Sequence, residues 1–147
     1  MPEISEQDRE AIINSDDIEL LVKAAEKIGK KLAEVNKLTA SQIRGIFGTV
    51  RRIEMDWVMP SLQQQRTETV RRAQREFALL QPRLAYQAKR ERGGAVQALS
   101  DELTPAIKLV MKAKNLGAEI YYQRFRNFVD FFEAILAYHR AFGGKNN

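Results

Sequence analysis

The segment Ala118 to Phe142, AEIYYQRFRNFVDFFEAILAYHRAF, constrains this chain more than any other. Tyr121, Phe125, Phe128, Phe132, Ile135 and Leu136 recur at steps of three and four, which places them along one stripe of a helix. Five of the seven phenylalanines fall inside it, and each aromatic side chain can bury on the order of 150–250 Å². A helix with that much apolar surface belongs in the middle of the molecule, with the other helices packed round it. Asn115 and Gly117 punctuate its start, and Gly143 and Gly144 stand where a left-handed cap ends it.

The rest of the chain supplies those other helices. Ser5 to Ile13 forms a short one, stopped by Asn14 and Ser15. Asp16 reads as the next N-cap, with Glu19 three residues on, and Ile18, Leu21, Val22, Ala25, Ile28, Leu32 and Val35 make an amphipathic stripe. Thr39 followed by Gln42 is a capping box. In the helix it opens, Ile43, Ile46, Phe47, Val50, Ile53 and Trp57 face inward while Arg44, Arg51 and Arg52 face away. Gly45 and Gly48 interrupt that helix at about 1 kcal/mol each relative to alanine, which points to close packing against a neighbouring helix.

Val58 to Arg66 is the main connection, and Thr67 caps a helix reaching about Leu80, with Val70, Phe77, Leu79 and Leu80 apolar. Pro82 either breaks that helix or begins a further one, Pro82 to Arg90, with Leu84, Ala85 and Ala88 inward. After the Gly93-Gly94 turn come a helical stretch from Ala95 to Leu103 and a second start at Thr104-Pro105, an N-cap followed by proline. No stretch alternates with period two for long enough to form a strand. The expected fold is all-α: one compact domain of about five main helices over residues 1–147, with an acidic N-terminal part (1–36) and a basic remainder (37–147).

Charge follows the same division. Met1 to Asn36 holds nine acidic residues and five basic ones, a balance of −4, so the overall +5 leaves +9 for the rest. Between Lys37 and Arg92 twelve Lys and Arg face five acids, and ten of the twelve are arginine. Such a bias points to a polyanionic partner, and the guanidinium fork suits bidentate phosphate contact. Arginines on the Thr39 helix and around Pro82 to Arg92, with Gln42 and Tyr86 between them, suit backbone contacts without base reading. No zinc-finger, recognition-helix or RRM signature accompanies them.

Enzyme classes lose their usual parts here. With no cysteine and a single histidine, thiol nucleophiles, thiolate metal sites and most histidine metal sites are excluded, and no metal or cofactor is expected. The carboxylate pairs Asp16-Asp17 and Asp101-Glu102 lie at helix starts, where they favour the dipole. His139, near the end of the aromatic helix, suits a structural bond to backbone, and Glu133 suits pairing with a basic neighbour. No apolar run approaches the roughly 20 residues of a membrane span, and the acidic N-terminus lacks a secretory apolar region, so a cytoplasmic location is expected. The alternative reading is a helical protein–protein adaptor or self-assembling scaffold without RNA contact, its acidic and basic parts stacking head to tail.

Three blocks carry a family resemblance: TASQIR at Thr39 to Arg44, LLQPRLAY at Leu79 to Tyr86, and FVDFFEAILAYH at Phe128 to His139. In this order and spacing they resemble the small subunit of the type III-A CRISPR effector, the Csm complex, over roughly Leu38 to Gly144. The resemblance implies a non-enzymatic helical subunit present in several copies, forming an inner filament along the guide RNA and target duplex and holding that duplex by backbone contacts. It also implies RAMP-type backbone subunits and a large polymerase-like subunit as neighbours, with RNA cutting and nucleotide chemistry done elsewhere in the complex. On the matching positions it places phosphate contacts at Gln42, Arg44, Arg51, Arg52, Arg83, Lys89 and Arg90, with Lys37 just ahead of the first block.

Overall fold

The computed structural model describes residues 2–144, and every regular element among them is helical. In chain order these are α1 (Glu6–Asn14), α2 (Ile18–Glu34), α3 (Ala40–Asp56), the single-turn α4 (Pro60–Gln63), α5 (Thr67–Ala78) and α6 (Leu80–Arg90). Then come α7 (Ala95–Lys112), a 3₁₀ turn (Ala113–Leu116) and α8 (Ala118–Ala141). Among the described residues seven helices have nine residues or more, against the five expected. One added boundary splits the stretch before Pro82, and α1 is a full element with Ser5 as its N-cap.

α8 occupies the centre. Phe125, Phe128, Phe131 and Phe132 are fully buried, and Val129 is buried beside them. Val129 and Phe131 flank the expected stripe and widen the buried arc to about 160° at 100° per residue. Gly143, at φ 77°, closes the helix in the left-handed conformation that glycine adopts without penalty, and the Gly144 amide donates to the His139 carbonyl at 2.8 Å.

α2 lies along α8 in the same direction, its start beside Asn127 and its middle beside Ile135 and Tyr138. Gly29 sets their separation: a Cβ there would fall 2.7 Å from Tyr138 Cβ, 2.8 Å from His139 N and 2.9 Å from the Ile135 carbonyl. The face of α2 toward the core is therefore Leu21, Ala24, Ala25, Ile28, Gly29, Leu32 and Ala33. Ile18, Val22 and Val35, expected inward, are exposed, because the close contact with α8 turns the small residues inward. The N-cap is Asp17, whose side chain accepts from the Leu20 amide. Asp16, at φ 56°, instead bonds the Asn127 carboxamide.

α3 runs back along α8. The His139 Nε2–H donates to the Leu38 carbonyl at 2.7 Å, which gives that ring the structural role expected of it. Farther along, Phe47 meets Phe132 edge-on at 5.1 Å, and Trp57 stacks on Phe125 at 4.2 Å. Phe77 from α5 closes this aromatic cluster against Trp57, Phe125 and Phe128. α1 and α7 cover α8 on another side, and α6 packs on α7.

Several local expectations change. Thr67 is the first residue of α5 rather than its cap, and its hydroxyl donates to the Gln63 carbonyl. The chain turns at Leu79, which is 37% exposed, so Pro82 sits in the first turn of α6, where a missing amide costs nothing. Ala85 is exposed although Leu84 and Ala88 are buried. α7 runs through Thr104 and Pro105 without a break. Burial of Leu103, Ala106, Ile107 and Val110 on either side of the proline outweighs its penalty of about 3 kcal/mol. Glu102 thus lies mid-helix rather than at a helix start. It is buried with Arg9, whose guanidinium is 3.7 Å away, and it accepts the Glu3 amide. Burial pushes its carboxyl up, against the pull of Glu3 N–H and Arg9.

Candidate nucleic-acid interface

α3 presents its arginines outward because its inner face is apolar from Ile43 to Trp57 and its start is fixed by the Thr39–Gln42 capping box, present as expected. The box also commits Gln42: its carboxamide oxygen accepts the Thr39 amide at 2.9 Å. Arg44, Arg51 and Arg52 are all exposed, yet at 100° per residue they divide around the helix. Arg44 and Arg51 share a line beside α8, and Arg52 points toward α5 and α6.

Arg51 is held within the chain. Its guanidinium bonds Glu54 at 2.8 Å and Glu133 at 2.9 Å and lies 4.9 Å over the Phe47 ring. Arg126 bonds Glu54 as well and lies 3.6 Å from Asp130, so the five side chains staple α3 to α8. Glu133 has the basic partner expected of it. Burial of Glu54 alone would raise its carboxyl, but hydrogen bonds from Arg126 and Arg51 outweigh burial and hold it below the usual value. A phosphate at Arg51 would have two carboxylates to displace.

The arginines toward α5 and α6 are arranged differently. A groove of about 360 Å³ between the three helices is lined by Thr49, Arg52, Asp56, Arg72, Glu76 and Arg83 over a floor of Ile53 and Ala73. It continues past Thr49 and Arg83 to Ile46, Leu84 and Gln87. Arg52 makes only a 3.4 Å contact with the Thr49 hydroxyl. Arg83 pairs with Glu76 at 3.1 Å, both about half exposed, and exposed pairs of this kind contribute little. An incoming phosphate can therefore compete for Arg83.

Of the eight residues that sequence and resemblance pointed to, the fold joins Arg52 and Arg83 in one groove, with Arg90 two turns along α6 from Arg83. Lys89, about 120° round α6 from Arg83, lines the separate cleft against α7 with Gln97 and Thr104. Lys37, at φ 57°, sits in the α2–α3 turn at the opposite end of α3 from Arg52. Arg72 is the residue the sequence reading did not single out. It stands among Arg66, Arg71 and Arg75, and only its position next to inward Ala73 and four before Glu76 distinguishes it.

Gly45 and Gly48 complete the exposed face of α3. Both are open to solvent, and a Cβ at either would meet nothing within 4 Å, so the close packing expected of them does not occur within the chain. Among the described residues no group of acidic or histidine side chains could hold a metal, and no helix is long and apolar enough to cross a membrane.

No curated protein and no solved structure matches the chain. A family model described as Csm2 Type III-A matches residues 15–145. That span takes in all three sequence blocks, α2, and every side chain of the groove, and it leaves α1 outside. The chain belongs to the Csm2 Type III-A family, the small subunit of the type III-A CRISPR Csm complex.

Proposed function

We propose that this small subunit binds the backbone of guide and target RNA without reading sequence, and that several copies form an inner filament beside the RAMP-type and large polymerase-like subunits. The observation that carries the reading is the α3/α5/α6 groove, where Arg52, Arg72 and Arg83 converge and none is committed to a buried partner. Guanidinium groups in that setting suit phosphate, and their contacts specify position rather than sequence. The bare glycines beside the groove let a sugar-phosphate chain approach α3 closely, although alanine at either place would favour the helix. The subunit is structural in this reading, and catalysis belongs to its neighbours.

The protein-contact part of the proposal has its own support. Met55, Met59 and Leu62 at the end of α3 and in α4, and Leu116 and Ile120 at the start of α8, are exposed. The 4.7 Å contact between Trp57 and Tyr121 brings the two chain segments to one end of the bundle. Apolar surface gathered there suits a neighbouring subunit.

Labelled RNAs of unrelated sequence, titrated at several salt concentrations, test the RNA reading. About six phosphate contacts give a log–log salt slope near −4 for a single strand. An Arg52→Ala/Arg72→Ala double variant is expected to reduce retention and flatten the slope, and Arg51→Ala to leave both nearly unchanged. A flat salt response in the wild type overturns the electrostatic mechanism. Assembly that light scattering finds independent of RNA, together with no retention, favours the adaptor reading instead.

A further inference from the structure

Tyr86 is the one exposed aromatic side chain among the described residues, at 63% of its free surface. The others are core or half-covered. A tyrosine on the surface of a bundle whose aromatic residues otherwise gather inside has no packing role that explains it. Two guanidinium groups lie near it: Arg90, 5.5 Å over the ring, and Arg83, one turn before it and in an exposed pair with Glu76. At 100° per residue Arg83, Tyr86 and Arg90 fall within about 60° of one another on the exposed face of α6; Arg83 lines the groove, and Tyr86 and Arg90 lie outside it, on the solvent side of Arg83. α6 carries no acid between Leu80 and Arg90, and the Glu91 carboxylate that follows accepts the Val96 amide.

Resting on the RNA reading above, we infer that this stripe is a stacking platform for an unpaired nucleotide, with the Tyr86 ring on the base and Arg83 and Arg90 on flanking phosphates. Arg83 and Arg90 are separated by about 10 Å of helix rise, roughly three steps of a stacked strand at 3.4 Å per phosphate. The aromatic between them supplies a π-face, which every base can use, so the platform tolerates any sequence. A duplex keeps its base faces inside its own stack. The stripe therefore separates single-stranded from paired RNA, a distinction that phosphate contacts alone do not make.

The experiment uses the full chain with three fluorescein-labelled ligands: a single-stranded RNA, the same strand with abasic sites, and its duplex. Tyr86→Ala is expected to weaken single-strand binding by about 5- to 150-fold, the range for loss of one stacked base, while Tyr86→Phe keeps it. Duplex binding is expected to stay at the wild-type level in both variants, and abasic RNA to bind wild type and Tyr86→Ala alike. A strand carrying 2-aminopurine is expected to lose fluorescence on wild type and Tyr86→Phe and to keep it on Tyr86→Ala. Unchanged single-strand affinity in Tyr86→Ala overturns the platform and leaves the salt-dependent backbone reading standing. Equal losses for single strand, abasic strand and duplex overturn it too, since the ring then only supports Arg90 and the backbone contacts. If wild type shows no salt-dependent binding to any of the three, both readings fall.

Discussion

Glycine-to-alanine substitutions at two positions of similar helical character should move stability in opposite directions. At Gly29 the new methyl group meets Tyr138 Cβ, His139 N and the Ile135 carbonyl, all under 3 Å away. Two of these are backbone atoms and the third is a Cβ, so none can swing aside as a long side chain does. α2 must lift from α8, and overpacking of this kind costs about 3 kcal/mol at the upper end of the usual range. Alanine's better helix propensity returns about 1 kcal/mol, leaving a net loss of about 2 kcal/mol. At Gly48 the same methyl group enters open solvent on α3, so only the propensity gain of up to about 1 kcal/mol remains. With a urea m-value of about 2 kcal/mol/M, Gly29→Ala should unfold about 1 M earlier than wild type and Gly48→Ala about 0.5 M later. Circular dichroism in urea follows helix content, and fluorescence of Trp57, the one tryptophan and 1% exposed, follows the aromatic cluster. A Gly29→Ala midpoint at or above the wild-type value refutes the close α2–α8 approach. A destabilised Gly48→Ala refutes the open face of α3. If RNA lies against that face, Gly48→Ala should also bind RNA less well while being the more stable protein.

Two further predictions concern polar side chains bonded across helices, half-buried Glu54 and buried His139. Glu54 titrates below the ordinary glutamate value in the folded chain, so its stabilisation is present above the unfolded value of about 4.3 and disappears as pH falls through the folded one. Glu54→Gln should therefore be less stable than wild type at neutral pH and draw level with it in acid. Urea midpoints taken from about pH 7 down to about pH 3 check this, and a stability gap that persists in acid counts against the Arg126–Glu54–Arg51 staple. His139→Ala leaves a cavity in the core and the Leu38 carbonyl without its donor, a loss of about 3 kcal/mol. Its RNA retention per folded molecule should match wild type, since the ring is fully buried; a specific loss of retention without loss of stability would make His139 a contact instead.

Much of the fold was legible in the sequence. The apolar period of α3 places six residues inward, and all six are buried; the Thr39–Gln42 box and the Gly143 cap form as their local chemistry requires. Legibility failed where tertiary packing overrode a local signal. Thr104-Pro105 has the chemistry of a helix start, yet α7 passes through it because apolar residues on both sides are buried together. Ile18, Val22 and Val35 have the period of an inward face, but Gly29, which carries no hydrophobic signal, decides which side of α2 meets α8. Glu102 looked like a carboxylate at a helix start and is the buried partner of Arg9, ninety-three positions away in the chain.

The candidate site divides along the same line. Sequence alone determined that arginine is concentrated between Lys37 and Arg92, that α3 turns its arginines away from an apolar side, and which family the three blocks resemble. Those properties follow from composition and from a period measured about a single helix axis. Only the tertiary structure decided that Arg51 is held by Glu54 and Glu133, that Lys89 faces a different cleft, and that Arg72 joins Arg52 and Arg83. A helical period specifies the direction of a side chain about its own axis and is silent on the rotation and offset of the next helix. Those are set where helices touch, at Gly29, Phe77 and Trp57, and they determine which charges are tied to a carboxylate across a helix pair and which stay open to solvent.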